Sequence, residues 1–232
     1  MSRTMSPDAL TVARSELILG GQKSGKSRRA EALARVWLDQ SDAHRAVLIA
    51  TAQPWDDEMR QRIARHQVDR AQRVPGMATV EEPLALAEAL AQHSRPDTLV
   101  VVDCLTLWLT NLRMPVVRDH RTPTEACAVG HFAQVKEEPA QRAGDTEQNA
   151  QPYKPLAPVD TAQTAIFLGA VTAALGPVVL VGNEIGLGVI PMGREVRAFV
   201  DALGSLNQDV AATCQRVTLM AAGLPLVLKD TV

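Results

Sequence analysis

The 232-residue sequence is poor in aromatic side chains: three Trp, one Tyr and three Phe make up 3% of it. So few rings count against a protein that stacks bases along single-stranded nucleic acid. Basic excess is missing as well. A net charge of −2 leaves no electrostatic footprint for DNA or RNA. Cysteine is sparse and odd in number, with Cys104, Cys127 and Cys214 far apart and no C-x-x-C spacing. That argues against a disulfide framework or a thiolate metal site, and for buried thiols in a reducing compartment. Apolar runs of spanning length are absent too, because Asp103 and Asn183-Glu184 interrupt the two most hydrophobic stretches. The first fourteen residues lack the continuous apolar core of a signal peptide. These absences point to the cytoplasm, with no membrane span and no nucleic-acid partner. Hydrophobic residues at 46% and charged residues at 22% suit one large domain with a sizeable core.

What is present starts with Gly20-Gly21-Gln22-Lys23-Ser24-Gly25-Lys26-Ser27, which fits the phosphate-binding loop G-x-x-x-x-G-K-[ST]. Its glycines allow backbone angles closed to other residues, so successive N–H groups can converge on phosphate oxygens. Lys26 is expected to reach the β- and γ-phosphates, and the Ser27 hydroxyl to ligate Mg²⁺. The context agrees. Glu16 to Leu19 reads as a short buried strand, and Ala30, Leu33, Ala34, Trp37 and Leu38 recur at helical spacing after the loop. The sequence therefore predicts a protein that binds a nucleoside triphosphate.

Residues 1–14 read as a loose arm. Ala46 to Ala50 is a second strand, ending in the polar loop Thr51-Ala52-Gln53-Pro54 where a parallel strand would meet its ligand. Asp56 and Asp57 can cap a helix carrying Met59, Arg62, Ile63, His66 and Arg70. Arg62 and Arg70 stand four residues either side of His66, so the spacing predicts one shared face. A solvated basic face explains such a pattern without chemistry. The chemical alternative is a neutral imidazole nucleophile, since flanking cations disfavour imidazolium and can hold phosphates against the ring. Pro75-Gly76 marks a turn, and Leu84, Leu86, Ala87 and Leu90 mark a helix ending near His93. Leu99 to Asp103 is a buried strand with a carboxylate at its C-terminal end. Beside a phosphate loop that position organises Mg²⁺, although a strand-end Asp can also cap the next helix.

From about 113 to 163 proline, glutamine and charge displace periodicity, apart from a short helical pattern near Glu125 to Lys136; the stretch reads as a low-complexity excursion. Order resumes with a helix over Thr161 to Leu175 and a strand at Val178 to Gly182. The glycine-rich loop Asn183 to Pro191 follows, then a helix over Glu195 to Thr213 and strands at Arg216–Met220 and Leu224–Leu228. Alternating strands and helices predict a mostly parallel α/β sheet covered on both faces, in one domain over residues 15–232. The loops after Leu19, Ala50, Val102 and Gly182 should gather at the C-terminal edge of the strands.

Taken in order, LILGGQKSGKSRRAEALA, IATAQPWDDEMRQRIARHQVDR, TVEEPLALAEAL, VVVDCLTLWLTNL, VVLVGNEIGLGVIP and LGSLNQ resemble the bifunctional adenosylcobinamide kinase/adenosylcobinamide-phosphate guanylyltransferases of cobalamin synthesis. The phosphate loop is common to many families. The R-I-x-x-H helix, D-C-L-T-x-W-L-T-N and N-E-x-G-x-G-x-x-P are much more specific together. The resemblance implies a RecA-like P-loop fold and a homotrimer. It implies phosphorylation of adenosylcobinamide by ATP or GTP, then transfer of GMP from GTP to adenosylcobinamide phosphate through a GMP–histidine intermediate. By the same resemblance His66 is the nucleophile and Lys26 a catalytic partner. The nucleotide contacts fall on Gly20 to Ser27, Thr51, Ala52, Gln53, Gln67, Val68, Asp69, Arg70, Glu81 and Asp103. Ser27 and Asp103 would hold Mg²⁺, and Asp103 or Glu81 would orient the substrate hydroxyl.

The chain departs from the family pattern at four places. The 70–81 segment is slightly longer and lacks a tryptophan, Gly182 stands where Ser or Thr often precedes Asn-Glu, the 113–163 excursion has no counterpart, and the N-terminal arm is longer. Two other readings compete: a small-molecule kinase without guanylyl transfer, and a RecA-like motor or switch. The motor expects basic or aromatic binding surfaces, which the composition does not supply.

Overall fold

The computed structural model describes residues 10–54, 56–113 and 161–231, all within one unit. The expected short helix between Glu125 and Lys136 lies outside the described residues, as does most of the 113–163 excursion.

Among the described residues seven strands form a single sheet in the order β3-β2-β4-β5-β1-β6-β7. They are β1 (Ser15–Gly20), β2 (Arg45–Ala50), β3 (Ala78–Glu81), β4 (Thr98–Asp103), β5 (Val178–Val181), β6 (Arg216–Ala221) and β7 (Leu224–Asp230). Every pairing is parallel except β6 with β7, which form an antiparallel hairpin. The helices are α1 (Lys26–Leu38), α2 (Asp57–Arg73), α3 (Leu86–His93), α4 (Leu105–Arg113), α5 (Thr161–Ala173) and α6 (Arg194–Thr213). β5 lies between the strand that feeds the phosphate loop and the strand that ends in Asp103, the arrangement expected of a RecA-like P-loop sheet.

Strand side chains alternate between faces, and both faces are covered. Leu17, Val100, Val102, Val178 and Leu180 pack against α3, α4, α5 and α6 through Leu86, Trp108, Phe167 and Leu206. Ile18, Leu48, Val101 and Val179 pack against α1 through Ala30, Leu33 and Ala34. Phe167 is fully buried, its ring centroid 5.1 Å from that of Trp108, so Phe167→Ala would cost about 3–5 kcal/mol.

α1 is also held by charge. Glu16 on β1 has no exposed surface and pairs with Arg29 of α1 at 2.8 Å, while Thr218 of β6 donates to it at 2.9 Å. In contrast, α2 is attached by its last turn. Arg73 donates to Glu31 of α1 at 2.9 Å, and the cap residue Val74 is buried; the Glu31 hydrogen bond, with its charge, raises the Arg73 pKa. Residues 10–14, expected in the loose arm, pack on the body. Leu10 and Val12 touch the α1-side core, and Arg216 donates to the Thr11 carbonyl at 2.7 Å.

Candidate active site

The phosphate loop leaves β1 at Gly20, whose φ is +150°; a Cβ there would meet the Met220 carbonyl oxygen at 2.5 Å. Gly25, at φ +102°, stands as the N-cap of α1. Lys23 is also left-handed, with φ +56°, a conformation that costs a non-glycine residue about 1–2 kcal/mol and clusters at functional sites. α1 starts with no side-chain cap and no acidic residue in its first turn. Its leading N–H groups and dipole therefore favour an anion. The hairpin turn between β6 and β7 buttresses the loop, since Gly223 N–H donates to the Ser24 carbonyl at 3.0 Å.

Lys26 is buried, and its amino group donates to the carbonyls of Gly20 at 3.0 Å and Gly21 at 2.6 Å. The Ser27 hydroxyl donates to Asp103 Oδ2 at 3.1 Å. A hydroxyl and a carboxylate meeting beside a phosphate loop are a hard oxygen pair. They fit Mg²⁺, which takes few protein ligands and completes its shell with water and phosphate oxygens. Cys104, next along the chain, is no competitor. Burial first, then the Asp103 charge, push its thiol up to about 11, so it is neither thiolate ligand nor nucleophile near neutral pH.

Thr51 lies under the site, at the exit of β2. The residue has no exposed surface, and its hydroxyl donates to the Cys104 carbonyl at 2.7 Å and accepts from Cys104 N–H at 2.9 Å. Its N–H donates to the Asp103 carbonyl, and its own carbonyl accepts from Asn111 Nδ2 at 2.8 Å. With every polar atom engaged, Thr51 braces β2 against β4. Ala52 and Gln53 after it are half-exposed.

Arg70 anchors α2 to the sheet. It is buried and donates to Thr79 Oγ1 on β3 at 3.1 Å, whereas His66 is exposed on α2. Arg70 turns inward to fix α2 on the sheet. Asp69 is taken up by Arg73 at 3.3 Å, and Val68 is exposed. Gln67 and Glu81 flank a small cleft of about 130 Å³ with Ala52, Pro54, Arg60, Ile63 and Ala64; Gln67 Nε2 is 3.5 Å from Glu81 Oε1. A larger groove of about 320 Å³, lined by Arg45, His93 and Arg95 among others, lies at the opposite, N-terminal edge of the sheet and away from this chemistry.

Three positions not expected at the site hold its frame. Asn111 reaches from α4 to the carbonyls of Thr51 and Pro83. Thr106 Oγ1 accepts from Asn183 N–H at 2.9 Å, and Asn207 Nδ2 donates to the Asn183 carbonyl at 3.1 Å. A polar residue three positions after Trp108, on the buried stripe of α4, was the available sign for Asn111.

Comparison with known proteins fits these features. The profile of the cobinamide kinase / cobinamide phosphate guanyltransferase family matches residues 16–228, from the buried Glu16 to the C-terminal strand. This chain belongs to that family. It carries the family's kinase and guanylyltransferase activities, in cobalamin biosynthesis. Among relatives, the bifunctional adenosylcobalamin biosynthesis protein CobP of Pseudomonas aeruginosa is 39% identical over 215 residues, covering 92% of this chain and 96% of that one. The CobU proteins of Escherichia coli and Salmonella typhimurium are each 30% identical over 213 residues, covering 92% of this chain and 98% of theirs. A crystal structure of the flagellar accessory protein FlaH from Methanocaldococcus jannaschii gives a TM-score of 0.44 at 11% identity, over 94% of this chain and 79% of that one.

Proposed function

We propose that both reactions run over one phosphate loop and that His66 carries GMP between them. The observation that carries this reading is the Ser27–Asp103 contact of 3.1 Å at the uncapped start of α1, beside the Lys26 amino group. In the kinase step the loop N–H groups and Lys26 hold the triphosphate of ATP or GTP. The hydroxyl of adenosylcobinamide attacks the γ-phosphorus, its proton passing to Asp103, Glu81 or water, and the nucleoside diphosphate leaves. Ser27 and Asp103 would hold Mg²⁺, which supplies neutralisation of the phosphate charge.

In the second reaction a nitrogen of His66 attacks the α-phosphorus of GTP. A P–N bond forms, the α–β phosphoanhydride breaks, and pyrophosphate leaves. An oxygen of adenosylcobinamide phosphate then attacks the same phosphorus, the P–N bond breaks, and GMP ends joined to the corrinoid through a new phosphoanhydride. Splitting the transfer replaces one difficult displacement by two easier ones. Gln53, Gln67 and Glu81, grouped around the β2 and β3 exits, are the side chains that would meet the nucleotide. Thr51, Asp69 and Arg70 would support them from behind. The reading includes a homotrimer in the cytoplasm and no nucleic-acid partner; among the described residues no helix is long and apolar enough to cross a membrane.

The fate of label from GTP tests it. Label at the γ-position should appear in cobinamide phosphate, and label at the α-position first in the protein and then in the corrinoid product. Label at the α-position that never leaves GTP would reduce the enzyme to a kinase.

A further inference from the structure

The loop between β5 and α6 exposes a run of apolar side chains at the catalytic edge. Val189 and Met192 are each 96% exposed, and Leu187 and Ile190 are nearly as open. Ordinary surface loops scatter such residues singly; a contiguous group marks a surface that is covered in function. The loop is not a slack connection. Glu184 Oε1 accepts from Gly186 N–H at 3.2 Å, and Arg197 donates to the carbonyls of Pro191, at 2.9 Å, and Met192, at 2.5 Å. These bonds hold the backbone while the apolar side chains point away from the core. The root of the loop is tied to the phosphate loop itself, since Glu184 N–H donates to the Gly20 carbonyl at 3.2 Å, the same carbonyl that Lys26 contacts.

We infer that this loop is the platform on which the corrin macrocycle of the substrate rests, with Leu187, Val189, Ile190 and Met192 against the methyl groups of its rim. The inference rests on the activity given by family membership and deepens it. Cobinamide carries its reacting hydroxyl on a short arm, so delivering that hydroxyl to a γ-phosphate above Lys26 places the broad ring beside the phosphate loop. The cleft at Gln67 and Glu81, about 130 Å³, is far smaller than the ~300–1,000 Å³ of ordinary ligand pockets and cannot take a macrocycle. A broad ring with methyl groups set among amide chains on its rim needs an open surface with apolar contacts instead, and the β5–α6 loop is one continuous with the phosphate loop. A second copy of the chain has another exposed apolar surface, the edge strand β7 with Leu224, Leu226 and Leu228.

The test is the triple variant Leu187→Ser, Val189→Ser, Met192→Ser, assayed beside the wild type. Side chains this exposed tolerate polar replacement without unfolding. The KM for cobinamide should rise about tenfold or more, while the KM for the triphosphate and the corrinoid-independent formation of the GMP–protein adduct stay within about twofold. An unchanged cobinamide KM would overturn the inference, as would an equal rise in the triphosphate KM. Loss of the wild-type assembly state in sedimentation would assign the patch to a second copy and overturn it as well. A wild type that left cobinamide unphosphorylated would sink the activity, and this platform with it.

Discussion

Ser27 Oγ lies 3.1 Å from Asp103 Oδ2, although strand β5 separates the strands from which the two residues emerge. Only the folded sheet brings this hydroxyl and this carboxylate together, at the first turn of α1.

Asp103→Asn keeps the shape of the side chain and removes its charge. Both activities should fall by roughly 100-fold or more, with the melting temperature close to wild type. Raising Mg²⁺ should recover part of the loss, because weakened metal retention is its cause. Steady-state rates against Mg²⁺ concentration check this, and full activity at limiting Mg²⁺ would remove Asp103 from the metal site.

Thr51→Val should act on stability before it acts on nucleotide affinity. The substitution keeps the shape but leaves Cys104 N–H without its buried partner, while the Cys104 carbonyl keeps only the Trp108 N–H at 3.1 Å. One orphaned group costs about 1–3 kcal/mol, or roughly 3–10 °C in melting temperature for a chain of this size. Thr51→Ser should restore most of it. A valine variant with wild-type melting but weakened GTP binding would return Thr51 to the nucleotide contacts.

How far the sequence carries the structure can be judged from these residues. The phosphate loop, the strand ending at Asp103 and the Asp56 cap, which accepts from Met59 N–H at 2.7 Å, were legible because each depends on near neighbours in the chain. The strands on both faces were legible from continuous apolar runs. The contacts of Thr51 and Arg70 were not, because their partners, Cys104 after β4 and Thr79 on β3, are distant in the chain and are set by how the elements pack. Glu16 reads in the sequence as the opening of a strand, and its burial against Arg29 and Thr218 depends on which strands flank β1. The apolar character of the β5–α6 loop was in the sequence; its exposure was not, since Arg197 and Glu184 hold it open.

Cys214 gives a pH prediction. Burial pushes its thiol from 9.0 up to about 12, so the fold favours the protonated form. A raised folded-state pKa contributes stability that is complete below the unfolded value and lost as pH rises toward the folded one. Wild-type stability should therefore fall relative to Cys214→Ala between pH 9 and about 12, with a differential slope of up to about 1.4 kcal/mol per pH unit. Urea unfolding of both proteins across that range measures it, and parallel curves would show that the thiol does not titrate on unfolding.

The central claim is that His66 carries GMP, and a mass measurement on the protein tests it most directly. Wild-type protein incubated with GTP and Mg²⁺ and digested with trypsin in mild alkali should yield the peptide His66 to Arg70 carrying one GMP. The adduct should survive alkali and be lost in acid, because protonating the imidazole turns it into a good leaving group. His66→Asn should fold, bind GTP, still phosphorylate cobinamide and show no adduct. GMP on any other peptide, or an adduct that persists in His66→Asn, would contradict the account.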